Sequence, residues 1–454
     1  MSARSAPSRC DNDVMRLQVA HPDQHEAIVD LPYLEPLESW NMPNVHRVLG
    51  LHRHVVKLLE FGSVSYVVKE IPDHLAEREY RLLRWVADQR LPTAEAVALV
   101  TEREIGDGLV ITRHLDYSLP YRSLLMGRGL EIPYLGDRLL DAMVALLVRI
   151  HLNGLYWGDC SLSNILFRRD AGALQAYIID LETAERYDSL SDGQRSMDVM
   201  IATDNMAGGL LDLQAGGRLK DGIDPITVAL AVEERYHALW HEITAPASAR
   251  IGDAQPMRDR LDRLHALGFA IEEMEVVTGA DGKTLNFVPK VVEHGYHREQ
   301  LQSLTGLRAG DNQARRMLQD IKQYQAFLRT EKGASVPLNV AAVRWLDRVF
   351  EPVMAAIPPE MFERLQPAEI FHQLLEHRWY MAEQTGLDLP LINVLDDYLQ
   401  LLADAPEERV SLDDKFLAEG PDATGEIRIP ALDDDLQEMP SETTRETDEG
   451  PETN

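Results

Sequence analysis

The sequence predicts an α+β chain, rich in strands at its start and helical beyond, and three observations carry that prediction. Two apolar runs, Val55–Phe61 and Val64–Ile71, are separated only by Gly62-Ser63, the pattern of a β-hairpin closed by a glycine-containing turn. Met143, Leu146, Leu147 and Ile150 recur at helical spacing, and two short apolar runs follow, Ile165–Phe167 and Tyr177–Ile179. A helix thus hands over to a second small hairpin. Further on, Val232, Tyr236, Leu239, Trp240 and Ile243 mark one face of an amphipathic helix, which must bury that stripe against a core.

The remaining elements follow in order. Residues 1–25 are polar and mixed and read as a disordered leader. A first domain is expected over residues 26–245. Within it, Leu75, Tyr80, Leu83 and Val86 recur with helical spacing and Pro92 follows the helix end. Leu109–Thr112 reads as a strand before a polar connection at Arg113–Ser118. Pro246, Ala247 and Pro256 then interrupt the pattern and mark a boundary. A second, α-rich domain is expected over residues 257–405. Leu261, Leu264 and Leu267 give it a helix stopped by Gly268. A hairpin, Phe269–Val277 and Thr284–Val292, turns at Asp281-Gly282, and several helices run on to about Leu402. In residues 406–454 acidic side chains outnumber basic ones by twelve, and that segment reads as a disordered tail.

With 454 residues the chain has room for two or three domains at about 150 residues each. The net charge of −30 argues against a general basic surface for nucleic acid or anionic membrane. Only Cys10 and Cys160 are present, so no disulfide framework is readable and a reducing compartment fits. The first thirty residues hold no signal-like apolar run, and Asp141–Ile150 is far too short to span a bilayer. The expectation is a cytoplasmic protein that would meet any lipid from the surface.

The chemistry concentrates in His151-Leu-Asn-Gly154-Leu-Tyr-Trp157-Gly158-Asp159-Cys160-Ser161-Leu-Ser-Asn164-Ile-Leu-Phe167, followed by Tyr177-Ile-Ile-Asp180-Leu181-Glu182. Phosphoryl transfer needs a carboxylate to orient or deprotonate the accepting hydroxyl, and oxygen ligands to hold Mg²⁺ against ATP phosphates. An Asp on a loop, an Asn five residues on and an Asp after the next hairpin supply that set. Single Asp-x4-Asn matches occur by chance. The preceding helix, the hairpin and Ile-Ile-Asp make the combination more specific.

These motifs resemble the catalytic loop and metal-binding loop of the protein-kinase-like fold. The resemblance implies a bilobal domain that uses ATP and Mg²⁺, with Asp159 as catalytic base and Asn164 and Asp180 as Mg²⁺ ligands. It also implies a strand lysine for the α- and β-phosphates, Lys69 in Tyr66-Val-Val-Lys69-Glu-Ile71, and a helix glutamate beside it. Glu79 is the first choice for that partner and Glu77 the second. Asp198 either braces the catalytic loop or serves as a cap or surface residue. Ile111–Leu115 is the expected inter-lobe hinge, and Gly62 is all that stands for a glycine-rich phosphate loop.

Departures from the protein-kinase pattern set the branch. The metal loop reads Asp180-Leu181-Glu182, no Ala-Pro-Glu segment follows, and Ser161 stands where Ser/Thr kinases carry lysine. These features resemble atypical kinases of the RIO type and bacterial lipopolysaccharide and small-molecule kinases. Trp157-Gly-Asp-Cys-Ser-Leu-Ser-Asn164, Gly306-Leu307 with Asn312-Gln-Ala-Arg-Arg316, and Phe350-Glu-Pro352 with Glu376-His-Arg-Trp379 carry a wider resemblance. It is to a bacterial family of unknown function in which a lipopolysaccharide-kinase-like domain precedes an uncharacterised one. The function this implies is phosphotransfer from ATP to a hydroxyl of a non-protein acceptor, a small molecule, glycan or lipid-linked sugar. The alternative is a pseudokinase that binds nucleotide and acts as a regulator or scaffold.

Other features weigh less. Cys160 adjoins the expected base and reads first as a small residue filling a tight turn. His294/His297 and His372/His377 lack a zinc-type arrangement. The basic run from Arg298 through Arg315-Arg316 to Lys322 reads as a solvated helix face.

Overall fold

The structure, a computed structural model, describes residues 15–47, 54–121, 124, 133–171, 173–219, 224–266, 271–279, 283–291, 295–332, 335–385 and 389–404. Six antiparallel strands open the fold: Arg16–Val19 (β1), Val45–Arg47 (β2), Val55–Phe61 (β3), Val64–Ile71 (β4), Glu95–Thr101 (β5) and Gly108–Arg113 (β6), in the order β1-β5-β6-β4-β3-β2. The helix Asp73–Asp88 (α1) lays Ala76, Tyr80, Leu83 and Val86 on one face of the sheet, against Ile71, Leu99 and Val110. The segment from Ile28 to Trp40 covers the other face, with Ile28, Leu37 and Trp40 packed on Leu59, Tyr66, Val68 and Ile111. Because side chains alternate along a strand, Tyr66 and Val68 face that cover while Lys69 goes to the opposite side from Val68.

One expectation changes here. The leader was expected to be disordered to residue 25, yet Arg16–Val19 pairs with β5, Leu17 opposite Val100. Its alternating Leu17 and Val19 supply a strand face. Residues 1–14 lie outside the described residues. The β5 strand has no counterpart in the sequence reading: it is buried almost throughout, so it carries no alternation to betray it.

A second, helical lobe follows. Leu119–Pro120 (β7) joins Ile165–Asp170 (β9) and Ala173–Ile178 (β10) in a three-stranded sheet, and Leu155–Tyr156 (β8) pairs with Glu185–Arg186 (β11). The helices Pro133–Leu152 (α2), Asp192–Ala215 (α3) and Pro225–Thr244 (α4) pack around them, with Met143, Leu146, Leu147 and Ile150 meeting Val232, Tyr236 and Leu239 in one core. A complete capping box starts α3, Ser191 and Gln194 each satisfying the other's backbone N–H.

The segment expected to be a boundary is structured. Ala247–Arg250 (β12) pairs with Thr284–Val291 (β14), which also pairs with Ile271–Thr278 (β13), and Gln255–Ala266 (α5) packs alongside. Pro246 precedes the strand, where its missing N–H costs no ladder bond. Gly268 and the Asp281-Gly282 turn lie outside the described residues. Helices Tyr296–Thr305 (α6), Asp311–Lys332 (α7), Leu338–Trp345 (α8), Glu351–Ala356 (α9), Met361–Arg364 (α10), Pro367–Thr385 (α11) and Leu391–Asp404 (α12) form a separate core around Met317, Ile321, Trp345, Phe371 and Leu374. The expected tail, 406–454, lies outside the described residues.

A buried polar junction joins this helical part to the tip of the β9–β10 hairpin. Asp170 accepts the backbone N–H groups of Asn312, at 3.0 Å, and Gln313, at 2.8 Å. These are orphan donors in the first turn of α7, and a carboxylate satisfies them while complementing the helix dipole. Glu369 accepts from Ala171 N–H at 3.0 Å and from Gln313 Nε2 at 2.6 Å.

Candidate active site

The β4 strand and α1 bring the first pair together. Lys69 Nζ lies 3.1 Å from Glu79 Oε2, and the Glu79 side chain is 2% exposed. Glu79, not Glu77, faces the strand; Glu77 reaches Arg81 on the outer surface at 3.5 Å. Lys69 Nζ also reaches the other lobe, at 3.0 Å from Asp180 Oδ2 and 3.2 Å from Glu182 Oε2. His54 Nε2 closes the group from the start of β3, 3.2 Å from Glu182 Oε2.

Burial alone would lower the Lys69 ammonium, but the Glu79 and Asp180 carboxylates outweigh it and hold its pKa above the ordinary lysine range. Burial pushes the Glu79 carboxyl up to about 7, repulsion from Asp180 adds to this, and Lys69 opposes both. One cation therefore serves three carboxylates, so the cluster keeps a surplus of negative charge.

The loop before β9 is held by three elements. Asp198 on α3 is fully buried and accepts from Trp157 N–H at 2.7 Å and Gly158 N–H at 2.8 Å. Its Oδ2 also lies 3.0 Å from His151 Nε2, whose Nδ1 lies 2.7 Å from the Tyr236 hydroxyl on α4. Asp198 thus braces the loop backbone, the first of the two roles its sequence position allowed. Gly158 bends at φ +76°, a conformation that glycine adopts without a Cβ penalty.

Asp159 follows that bend. Asn164 Nδ2 donates to Asp159 Oδ2 and to its carbonyl oxygen, both at 3.0 Å. Asn205 Nδ2, from α3, donates to Asp159 Oδ1 and to the Cys160 carbonyl, both at 3.1 Å. Asn205 is absent from the sequence reading, because an Asn inside a helix carries no motif. Only its spacing of seven from Asp198, two turns along one face, could have pointed to it.

The segment carrying Asp180 is stitched to the same loop. Trp157 Nε1 donates to the Asp180 carbonyl at 2.9 Å, Thr183 Oγ1 donates to the Trp157 carbonyl at 2.9 Å, and Ile179 N–H donates to the Asn164 carbonyl at 3.3 Å. Lys69, Glu79 and Asp180 are therefore in direct contact, and Asp159 and Asn164 join them through the Trp157–Asn164 loop.

Gly62 is not brought to this cluster. It turns the β3–β4 hairpin at φ +62°, seven residues before Lys69, or about 23 Å along an extended strand. The end of β3 near Lys69 is the other one, where Val56 pairs with Lys69 and His54 touches Glu182. The expected hinge also shifts. Ile111–Arg113 are paired within the sheet, and Ile111 faces Val68 on one side and Ala98 on the other. Their backbone groups are committed to the ladder, so the chain leaves the sheet only after Arg113, through His114–Ser118.

Cys160 is buried, and burial pushes its thiol well above the ordinary range, which suits the small-residue reading. His297, His372 and His377 each lie near a carboxylate, Asp311, Glu376 and Asp397 respectively, and His294 lies outside the described residues. Among the described residues no group of three or more His, Cys, Asp or Glu is arranged to hold a metal ion.

Comparison with known proteins bears on this geometry. Residues 51–199, which contain Lys69, Glu79, Asp159, Asn164, Asp180 and Asp198, match the lipopolysaccharide kinase (Kdo/WaaP) family. The chain carries a lipopolysaccharide kinase family domain. Residues 238–402 match a domain of unknown function, DUF4032. The solved structure of WaaP in complex with acyl carrier protein is similar over 56% of this chain and 99% of its own, at 18% identity and a TM-score of 0.34. No curated protein matches the chain. The fold is α+β: a sheet-bearing lobe and a helical lobe, over the residues that match the lipopolysaccharide kinase family, are followed by a mostly helical part with a small sheet. Among the described residues, no helix is long and apolar enough to cross a membrane.

Proposed function

We propose that the protein is an ATP- and Mg²⁺-dependent phosphotransferase acting on a hydroxyl of a non-protein acceptor. The observation that carries this reading is the meeting of Lys69, Glu79 and Asp180 across the two lobes, beside a loop that presents Asp159. Lys69 contacts the α- and β-phosphates as a point charge, and Glu79 keeps its stem aimed across the cleft. Asp159 orients the acceptor hydroxyl and takes its proton. The new bond joins the acceptor oxygen to the γ-phosphorus, the bond to the β–γ bridging oxygen breaks, and ADP departs with that electron pair.

The residues fit a magnesium ion. Asn164 turns its amide nitrogen to Asp159 and so offers its carbonyl oxygen. Asp180 offers a carboxylate, and a hard cation of this size takes one or two protein oxygens together with phosphate and water. When bound, the ion neutralises charge on the transferring phosphate. The family's name, lipopolysaccharide kinase, supports an acceptor among glycans, lipid-linked sugars or related small molecules. A buried, free Cys160 thiol supports a reducing cytoplasmic setting.

A second reading, a nucleotide-binding protein without turnover, is favoured by Glu182, whose carboxylate lies 3.2 Å from Lys69 Nζ, where a phosphate oxygen would bind. Turnover of Mg·ATP, measured as slow hydrolysis and on a panel of glycan and lipid-linked acceptors, separates the two. Asp159→Asn is expected to lower the rate by about 10²–10⁴-fold. A rate unchanged by both Asp159→Asn and Asp180→Ala would overturn the phosphotransferase reading. Metal-dependent ATP binding with no turnover would establish the second.

A further inference from the structure

One face of α3 grips the loop at two successive points. Asp198 and Asn205 are seven residues apart, so they stand one above the other. Asp198 accepts the N–H groups of Trp157 and Gly158, whereas Asn205 donates to Asp159 Oδ1 and the Cys160 carbonyl. The helix therefore takes the loop's donors before the Gly158 bend and satisfies its acceptors after it.

The grip on Asp159 has a mate on the other side. Asn164 Nδ2 donates to Oδ2 of the same carboxylate at 3.0 Å, while Asn205 holds Oδ1 at 3.1 Å. Each amide is itself anchored on a backbone carbonyl, that of Asp159 for Asn164 and that of Cys160 for Asn205. Two amides from separate elements thus determine the plane of the carboxylate.

We propose that Asn205 is a positioning residue for phosphotransfer, holding the Asp159 carboxylate at the angle that meets the acceptor hydroxyl and acting only through Asp159. The proposal rests on the phosphotransferase reading above. It assigns Asn205 no part in nucleotide binding, since its side-chain bonds go to the loop and not to the Lys69 cluster. A plain structural role, tying α3 to the Cys160 carbonyl, predicts something different: a loss of folded protein that scales every rate alike.

A double-mutant cycle on Mg·ATP turnover separates these roles, using the full chain, Asn205→Ala, Asp159→Asn and the double variant. Asn205→Ala is expected to lower kcat by about 10- to 100-fold, as small misplacements of a reacting group do. The KM for ATP should stay within about twofold, because no ground-state contact to nucleotide is lost. On the Asp159→Asn background the same substitution should change nothing further, since it acts through a group already removed. Asn205→Ser keeps a donor on a shorter arm and should recover part of the rate; it carries the same cycle should the alanine variant fail to fold. Losses that multiply in the double variant, or kcat and KM that move together with the melting temperature, overturn the positioning role and leave the phosphotransferase reading standing. A parent chain without turnover, or a rate indifferent to Asp159→Asn, overturns that reading and the proposal with it.

Discussion

Lys69 Nζ on β4 and Asp180 Oδ2 on the loop of the other lobe lie 3.0 Å apart, so this contact bridges the cleft between sheet and helical lobe. The same ammonium also faces Glu79 and Glu182. Lys69→Met removes the ammonium that faces Glu79 and leaves three carboxylates facing one another. Removing one member of a buried pair costs about 3–5 kcal/mol, and the partial exposure of Asp180, 30%, places this case at the lower end. Differential scanning fluorimetry should show a lowered Tm and no further rise with Mg·ATP. A variant that melts with the parent and still responds to nucleotide contradicts this account.

Two glycines with similar backbone angles should respond differently to alanine. Gly154 sits at φ +76°, and a Cβ there would lie 2.2 Å from the Tyr187 carbonyl oxygen. Gly62 sits at φ +62° with nothing within 4 Å of the same added atom. Gly62→Ala should cost only the left-handed conformation, about 1–2 kcal/mol, and leave ATP affinity as it was. Gly154→Ala should cost clearly more, because β8 and β11 must part to admit the methyl group. Urea unfolding of both variants, with ATP titration of the first, checks the pair; an affinity loss in Gly62→Ala would return that turn to the nucleotide site.

The contrast between these glycines also shows where the sequence is readable. Lys69, Asp159, Asn164 and Asp180 follow one another in the order that the kinase-like resemblance implies, and the β3 and β4 strands fall within the apolar runs that predicted them. Gly62 shows the limit, since the sequence names a turn residue but not which end of the strand faces Lys69. That depends on register, with Val56 opposite Lys69. Asn205 and the α7 cap by Asp170 were illegible for a related reason. Each acts on a partner far along the chain, 46 residues away for Asn205 and 142 for Asp170 with Asn312, and a polar residue in a helix or at a strand end has no local signature for such a partner. The buried β5 strand escaped because full burial erases the period that marks a half-buried one.

Asp198→Ala should be among the most damaging single changes in the helical lobe. It strips acceptors from Trp157 N–H and Gly158 N–H and takes the carboxylate away from His151 Nε2. An unsatisfied buried donor costs about 1–3 kcal/mol, and two arise here, so a loss of about 2–6 kcal/mol is expected. Asp198→Asn keeps the shape and one acceptor oxygen, and should lose less. Chemical denaturation of the two variants gives the order, and a milder loss in alanine than in asparagine would contradict it.

The junction between the β9–β10 hairpin and α7 should leave a mark on the pH dependence of stability. Burial raises the Asp170 carboxyl from 3.8, against the opposing pull of the Asn312 and Gln313 N–H groups. The folded chain therefore binds this proton more tightly than the unfolded chain does. The associated stability is fully present below 3.8 and is lost as pH rises from there through the raised folded value, after which it changes no further. Asp170→Asn cannot titrate, so its cost relative to the parent should be largest in acid and shrink as pH rises through that window. Denaturation of parent and variant at a series of pH values gives the difference directly, free of the carboxylates the two share. A gap that widens with rising pH would mean that the two N–H bonds outweigh burial, and that α7 draws its cap as an anion from the outset.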